Sequence, residues 1–283
     1  MGGQSVQLVK YSTVINTSVV DNSHTQIISH INSGARVLDV GCASGILGEF
    51  LVRERNCSVV GLDFDEAALT LARKRNCYEN LIQADLNVFD VGRLVEGKKF
   101  DFVVFGDVLE HLLDPAKFLQ SLKPLLLENG KFVVSLPNVS HGSLKFNLLN
   151  NVFEYTEEGL LDSTHLKLFT KNSIKEFCVR CGLNINSFRR VFAPIYSMEQ
   201  AVNKEEFPPA IVEYIESDLE SWVYQYVFTA SCMPNESADI DELLCPSEEE
   251  LGRFRRYKQS NSNPKKKRFK DRVKGWRKLY GRS

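Results

Sequence analysis

The stretch RVLDVGCASGILGEFL, residues 36–51, joins an apolar run to an amphipathic segment through a glycine-rich loop. Residues 37–40 are predicted to form a buried strand, and residues 46–53 a helix. Glycine has no side chain, so Gly41 and Gly45 allow a ligand to approach the loop closely. The stretch therefore predicts a strand, a ligand-binding loop and a helix.

Strand and helix patterns alternate along the rest of the chain. Strands are predicted at residues 59–63, 81–84, 100–105, 131–136, 185–191 and 223–230. Helices are predicted at residues 66–74, 115–127, 171–181 and 209–221, and a turn at Asn129-Gly130. Continuous apolar strands that alternate with helices predict an α/β fold, with a mainly parallel sheet covered by helices on both faces.

Charge is divided unevenly along the chain. Residues 251–283 contain 14 basic residues and one acidic residue, whereas the remainder contains 21 basic and 35 acidic residues. An acidic body and a basic tail need separate explanations. The seven cysteines show no disulfide framework and no apolar run is long enough to span a bilayer, so a cytoplasmic protein is predicted.

The glycine spacing excludes two common phosphate-binding loops. A dinucleotide fingerprint would need glycine at two positions where the chain has Ala43 and Ile46. A P-loop would need a lysine directly after Gly45, and none follows. The loop is therefore predicted to bind a ligand that places no diphosphate against it.

Acidic residues after the next two strands indicate an adenosine. Asp63 ends the second predicted strand, 22 residues after Gly41, where a carboxylate can accept hydrogen bonds from both ribose hydroxyls. Asp85 follows the third strand and is placed to accept from an adenine amino group, while Phe64 and Leu86 sandwich the ring. An adenosine that carries a non-phosphate group fits S-adenosylmethionine.

Five blocks of sequence resemble the class I S-adenosylmethionine-dependent methyltransferases. They lie within about residues 35–138 and are VLDVGCASG, VVGLDFD, QADL, FDFVVFGDVLEHLLDP and LKPLLLENGKFVVSLPN. The resemblance implies a Rossmann-like seven-stranded sheet in the order 3-2-1-4-5-7-6, with the last strand antiparallel. Residues 135–170 are also similar to methyltransferases associated with bacterial polysaccharide glycosyltransferases, and the ubiquinone-type O-methyltransferases are near this group.

The patterns and the resemblance divide the chain into three parts. Residues 1–33 are predicted to be an N-terminal helical segment, and residues 34–232 the methyltransferase domain. Residues 233–283 are predicted to be an acidic, then basic tail that is a linker or an amphipathic helix, loosely ordered from about residue 234. Within the domain, residues 137–169 form an irregular insert at the place where this fold builds its acceptor site.

The residues predicted to bind the donor lie at the ends of the first four strands and in the loops after them. They are Asp39, Gly41, Cys42, Ala43, Ser44, Gly45, Asp63, Phe64, Asp85, Leu86, Gly106, Asp107 and Val108. The last three are placed at the donor by the family resemblance. Asp63 and Asp85 are expected to hold the adenosine, and the loop at residues 41–45 the methionine end.

Histidines are the candidate bases, because an acceptor hydroxyl must lose a proton when it is methylated. His165 lies in the insert and is predicted to take that proton, with Asp162 orienting its imidazole. His111 follows Asp107 by four residues and faces the same side if this turn is helical. The alternatives are that His165 only anchors the insert, and that Glu110 and His111 only buttress the loop.

A divalent metal is an alternative to unassisted base catalysis. Two carboxylates and two imidazoles are available, from Asp107, Glu110, His111 and His165. The arrangement is similar to that of small-RNA 2′-O-methyltransferases, in which Glu-x-x-Glu-His and a later histidine bind a divalent ion. With two imidazoles, Mn²⁺ or Zn²⁺ is more natural than Mg²⁺. The sequence is compatible with either a metal site or an unassisted base.

The basic tail carries a helical stripe of apolar side chains, formed by Phe269, Val273, Trp276 and Tyr280. A basic amphipathic helix with tryptophan is typical of contact with a membrane surface, here the inner face, or with an acidic partner. The alternatives are a solvated linker and a connection to a following glycosyltransferase domain. Nucleic acid is disfavoured as a partner because the acidic body repels phosphate.

The combined prediction is an S-adenosylmethionine-dependent O-methyltransferase that acts on a sugar hydroxyl in polysaccharide or glycan biosynthesis. Its acceptor is a small molecule or a glycan. Metal-assisted RNA 2′-O-methylation and quinone-type O-methylation are the enzymatic alternatives. A donor-binding module without catalysis is the non-enzymatic alternative, and the intact glycine loop with both aspartates argues against it.

Overall fold

The computed structural model describes residues 15–88, 90–95, 97–196, 198, 202–233 and 240–261. The strands in these ranges are β1 (Arg36–Val40), β2 (Ser58–Asp63), β3 (Asn80–Gln83), β4 (Phe100–Gly106), β5 (Leu126–Pro137), β6 (Asn184–Phe192) and β7 (Val223–Ser231). They form one sheet in the order β3-β2-β1-β4-β5-β7-β6. Strands β1 to β5 pair in parallel, whereas β7 is antiparallel to both β5 and β6. The predicted fold class, strand order and antiparallel last strand are confirmed.

Helices cover both faces of the sheet. In the same part of the chain they are α1 (Ser23–Ser29), α2 (Ile46–Arg55), α3 (Glu66–Lys74), α4 (Val91–Leu94), α5 (Pro115–Leu122), α6 (Gly142–Leu149), α7 (Lys171–Arg180), α8 (Pro209–Ser217), α9 (Ile240–Leu243) and α10 (Glu248–Asn261). Successive residues of β1 face opposite sides. Val37 belongs to an apolar cluster with Ile27 of α1 and Leu51 of α2, and Leu38 to another with Leu119 of α5.

The end of α5 differs from the prediction. The helix was expected to continue to residue 127, but it ends at Leu122. Pro124 follows, and proline has no N–H group and clashes with the preceding turn of a helix. The short 3₁₀ turn Lys123–Leu125 therefore replaces the last part of the expected helix.

Strand β5 begins at Leu126, so the predicted turn at Asn129-Gly130 falls within the strand instead of before it. Leu126 pairs with Phe100 and Lys131 pairs with Phe102, so residues 127–130 lie opposite a single residue of β4. The four residues are accommodated as a bulge within the strand rather than as a turn that precedes it. The chain is tight here, since a side chain on Gly130 would meet the backbone oxygen of Phe100 at 2.9 Å.

The insert contains a helix that the sequence did not indicate. α6 begins after His141, whose imidazole accepts a hydrogen bond from the N–H of Ser143. The helix presents apolar residues on most of its circumference: Leu144 and Phe146 are buried, while Leu148 is exposed. It therefore lacks the one-sided periodicity by which amphipathic helices are predicted.

The C-terminal part of the described chain is ordered, so the expectation of loose order after residue 234 is wrong for residues 240–261. α10 packs against the sheet through Arg253 and Glu250, which are 6% and 5% exposed. Arg253 pairs with Asp21, and Glu250 with Arg190 of β6. The bounds of the three predicted parts stay predictions.

The apolar stripe of the basic tail lies outside the described residues, since Phe269 to Tyr280 fall in the range 262–283. In the part of the chain that the structure does describe, none of the helices has both the length and the apolar character needed to cross a bilayer. Contact of the tail with a membrane surface or with a further domain stays a prediction.

Candidate active site

The loop after β1 folds back over the end of β2. Gly41, Ala43 and Gly45 all have positive φ, at 72°, 47° and 79°. The N–H groups of Gly41 and Cys42 both donate to the carbonyl oxygen of Leu62, at 2.7 and 2.9 Å. Such a conformation suits glycine, and it places the loop at the carboxyl edge of the sheet, where ligands bind in open α/β folds.

The space beside the loop's glycines is filled by this chain's own side chains. A Cβ on Gly41 would overlap with Val108, and a Cβ on Gly48 would overlap with the phenol of Tyr78. A Cβ on Gly45 would also meet the Tyr78 ring, at 2.8 Å. Internal packing therefore requires these glycines, and the contact of Gly41 and Gly45 with a donor stays a prediction.

Asp63, which was predicted to bind the donor, also bonds to the glycine-rich loop. One carboxylate oxygen accepts from the N–H of Ala43 at 2.7 Å and the other from the N–H of Asp65 at 2.9 Å. The residue is 7% exposed, and burial raises the pKa of its carboxyl group. Each oxygen keeps a further lone pair, so the geometry still allows ribose hydroxyls to bind.

Phe64 and Asp85 lie at the ends of two neighbouring parallel strands. Phe64 follows β2 and is 74% exposed, an unusual position for a large apolar ring. Asp85 follows β3, is exposed, and accepts from the N–H of Asn87 at 2.9 Å. Leu86 beside it is half-buried. The structure thus brings the predicted adenine-binding residues to one edge of the sheet.

Asp107 is held in place by two residues that sequence reasoning missed. Its φ is 58°, a left-handed conformation that is strained for a residue other than glycine. Ser135 donates to its carboxylate at 2.7 Å, and the amide of Gln225 donates to both oxygens at 2.9 Å. A signal was available, because each is a polar residue inside an otherwise apolar strand, "KFVVSLP" and "VYQYVFTA".

The insert places His165 next to the turn after β4. His165 Nε2 lies 4.0 Å from Glu110 Oε1, and the rings of His111 and His165 have centroids 4.8 Å apart. The N–H groups of Leu166 and Lys167 both donate to the carbonyl oxygen of Glu110, at 2.8 and 3.0 Å. These backbone bonds fix the insert to the turn, so the two predicted histidines meet.

The hydrogen bond that orients the imidazole of His165 is made to a backbone carbonyl and not to Asp162, whose charge still favours the protonated form of His165. The carbonyl oxygen of Leu160 accepts from Nδ1 of His165 at 3.2 Å. Asp162 instead accepts from the hydroxyl of Thr164 at 2.6 Å, and that hydroxyl lies 3.0 Å from Nδ1 of His111. The Asp162 carboxylate also accepts from the N–H of Thr164 at 2.8 Å, so it caps the turn that contains Thr164.

Burial sets the protonation of this cluster. Burial lowers the pKa of His165, and the neighbouring His111 lowers it further, so the imidazole is neutral near pH 7. Burial acts to raise the pKa of Asp162, but two hydrogen bonds from Thr164, together with the nearby His165 and His111, lower that pKa overall. A neutral imidazole with a fixed orientation can accept a proton through Nε2.

Glu110 differs from the other residues of the cluster because its side chain has no hydrogen-bond partner in the described ranges. It is fully buried, and in the described ranges neither carboxylate oxygen finds a hydrogen-bond partner. Burial raises the pKa of this carboxyl group well above its usual range, and the charge of Asp107 adds to the effect. A buried carboxyl without partners is costly, and a cation beside it would remove the cost.

The cluster fits a metal with three protein ligands rather than the four considered from the sequence. Ligand atoms of Glu110, His111 and His165 all lie within 4.8 Å of one another. Both histidines direct Nδ1 at a carbonyl oxygen, of Thr164 and Leu160 at 3.2 Å each, so Nε2 is the nitrogen that can bind. Metal-binding histidines commonly have such partners. The fourth candidate ligand, Asp107, instead accepts hydrogen bonds from Ser135 and Gln225.

Comparisons with known proteins agree with the fold. A family model described as a methyltransferase domain matches residues 20–187. The ubiquinone biosynthesis O-methyltransferase of Acinetobacter baumannii (strain ACICU) is 31% identical over 135 residues, which cover 47% of this chain and 56% of that protein. The enzyme of the same name from Neisseria meningitidis serogroup A is 29% identical over 156 residues, covering 54% and 65%. The chain thus spans less than two thirds of the length of these relatives.

Two solved structures share the fold at low sequence identity. A putative methyltransferase from Bacillus halodurans superposes with a TM-score of 0.53 at 14% identity, over 75% of this chain and 99% of that one. A methyltransferase from Thermotoga maritima, described as a possible histamine N-methyltransferase, superposes with a TM-score of 0.51 at 14% identity, over 77% and 91%. At this identity, the likeness shows the fold alone.

Proposed function

Because this chain belongs to the methyltransferase domain family and has the class I S-adenosylmethionine-dependent methyltransferase fold, we propose that it transfers a methyl group from S-adenosylmethionine to an acceptor hydroxyl. The observation that carries the proposal is the neutral, oriented imidazole of His165 at the sheet edge that also holds the glycine loop and Asp63. The relatives named as O-methyltransferases support oxygen as the accepting atom.

The donor supplies a methyl group on a sulfonium, which is already activated for an in-line displacement. The protein's part is then to place the acceptor, exclude water and remove one proton. His165 Nε2 takes the hydroxyl proton as the new oxygen–carbon bond forms, and Nδ1 stays bound to the carbonyl oxygen of Leu160. The products are S-adenosylhomocysteine, a methyl ether and the proton held on His165.

The surroundings of the histidines support an acceptor with an apolar part. Leu113, Leu166 and Leu168 lie within three residues of His111 or His165 and are 67%, 50% and 39% exposed. Exposed apolar side chains next to a reactive group favour an amphiphilic ligand. A sugar hydroxyl of a lipid-linked glycan precursor meets this requirement, and so does a quinone-type phenol. A bare RNA 2′-hydroxyl does not.

Donor binding tests the proposal directly. Titration calorimetry is expected to show heat for S-adenosylmethionine and none for NAD or ATP. Asp63→Asn should weaken the donor's affinity about ten- to a hundredfold, the effect of losing hydrogen bonds to a charged group. Asp101→Asn is the matched control, because Asp101 bonds to Arg36 at the opposite edge of the sheet. Heat for NAD or ATP, with none for S-adenosylmethionine, would reject the proposal.

A metal-assisted reaction is the second candidate, and the unpaired carboxylate of Glu110 favours it. Glu110, His111 and His165 would hold a divalent ion of the Mn²⁺ or Zn²⁺ type. Such an ion lowers the pKa of a bound hydroxyl and orients it. The two candidates exclude each other at one atom, because Nε2 of His165 cannot bind a metal and accept the proton as well.

Metal removal separates the two candidates. If the site binds metal, the purified protein should contain about one equivalent of Mn²⁺ or Zn²⁺ by elemental analysis, and a chelator should abolish turnover until Mn²⁺ is restored. His111→Gln should lose the metal, whereas His30→Gln, on α1, should keep it. Full turnover by metal-free protein would leave His165 as an unassisted base.

A further inference from the structure

Three glycines from separate elements surround the side chain of Tyr78. A Cβ on Gly48 of α2 would overlap with its hydroxyl end, and a Cβ on Gly45 or Gly61 would meet its ring at 2.8 Å in each case. Glycine within a helix or strand costs stability, and it often marks a place where another group occupies the space of a side chain. Here the space admits the tyrosine to the underside of the loop that follows β1.

The phenol reaches a buried carboxylate at the end of β1. The hydroxyl of Tyr78 donates to Asp39 Oδ2 at 2.9 Å, and Asp39 is 2% exposed. Among the described residues, the other titratable groups that interact electrostatically with this carboxylate are Asp63 and Cys42, and neither carries a positive charge. A neutral hydrogen-bond donor, rather than a cation, therefore holds Asp39 in place.

We propose that Tyr78 is a positioning residue for donor binding, whose hydroxyl fixes the carboxylate of Asp39 beneath the glycine loop. The inference rests on the proposed function, since it takes S-adenosylmethionine as the ligand. That ligand carries a positive sulfonium and a positive ammonium group. Within the described part of the chain no cationic side chain bonds to Asp39, so its negative charge can attract these two groups.

The protonation of Asp39 gives the proposal its distinctive readout. Burial raises the pKa of Asp39 to about 7, and the hydrogen bond from Tyr78 acts against that rise. Removing the hydroxyl should raise this pKa further, so that more of the carboxyl is protonated at neutral pH. Only the ionised form attracts a cationic donor, so affinity should fall as pH falls through this pKa. The fall should begin at higher pH in the variant.

Tyr78→Phe tests this, because it keeps the ring that fills the glycine-lined space and removes only the hydroxyl. Calorimetry at neutral pH should show S-adenosylmethionine bound about tenfold more weakly than by wild-type protein, the effect of one lost hydrogen bond to a charged group. The loss should shrink at alkaline pH, where Asp39 is ionised in both proteins. Tyr214→Phe is the matched control, since Tyr214 is 76% exposed on α8.

A second variant separates positioning from packing. Asp39→Asn removes the titrating group, so adding Tyr78→Phe to it should cause no further pH-dependent loss. Equal affinity and an equal pH profile in wild-type protein and Tyr78→Phe would overturn the inference while leaving the proposed function standing. A wild-type protein that does not bind S-adenosylmethionine at all would overturn both.

Discussion

Replacing His165 with alanine is expected to lower turnover by about 10²- to 10⁴-fold, the usual contribution of a positioned general base. Affinity for S-adenosylmethionine should stay the same, because the residues predicted to bind the donor lie on other loops. The imidazole is suited to the role, since burial keeps it neutral and the carbonyl oxygen of Leu160 fixes its orientation. Single-turnover kinetics with labelled donor, together with calorimetry, would measure the two quantities separately.

Two comparisons make this test specific. His30→Gln changes the half-buried C-cap residue of α1, which lies outside the insert, and should leave turnover close to that of the wild-type protein. His111→Gln separates the roles of the two imidazoles. Nδ1 of His111 bonds to Thr164, whereas Nδ1 of His165 bonds to Leu160. Full turnover in His165→Ala with lost turnover in His111→Gln would transfer the base to His111.

The fold was predictable because its signals are local. The apolar runs of β1 and β2 and the amphipathic pattern of α3 each occupy one short segment, and the predicted bounds of α3 agree with those observed. The strand order came from the family resemblance. α6 escaped prediction because its apolar residues are spread around the helix. The end of α5 differs from the prediction because the apolar pattern continues to Leu127, whereas Pro124 ends the helix.

The site was less predictable because its contacts join distant segments. Sequence identifies His165 as a candidate base, but its partner is a backbone carbonyl, which every residue has. Tyr78 contacts Asp39 across 39 positions, and no pattern near Tyr78 in the sequence indicates this contact. Ser135 and Gln225 stood out only as polar residues in apolar strands. Residue types were therefore predicted better than their partners.

Replacing Arg253 with methionine is expected to lower the free energy of unfolding by about 3–5 kcal/mol, the usual effect of breaking a buried ion pair. Arg253 Nη1 lies 2.5 Å from Asp21 Oδ1, and the guanidinium stacks over Phe192, 5.1 Å from the ring centroid. Asp21 also accepts from the N–H of Phe192, and directly precedes Asn22, the N-cap of α1. The pair thus joins α10 to the start of α1, and its loss leaves Asp21, whose side chain is only 16% exposed, without its cation.

Urea unfolding of full-length variants measures this loss. Arg255→Met is the matched control, because Arg255 is exposed on the same helix and should change stability by less than about 0.5 kcal/mol. Adding Asp21→Asn to Arg253→Met should recover part of the loss, because it removes the negative charge that Arg253 no longer balances. A loss below about 1 kcal/mol, the range of exposed pairs, would show that α10 is not held by this ion pair.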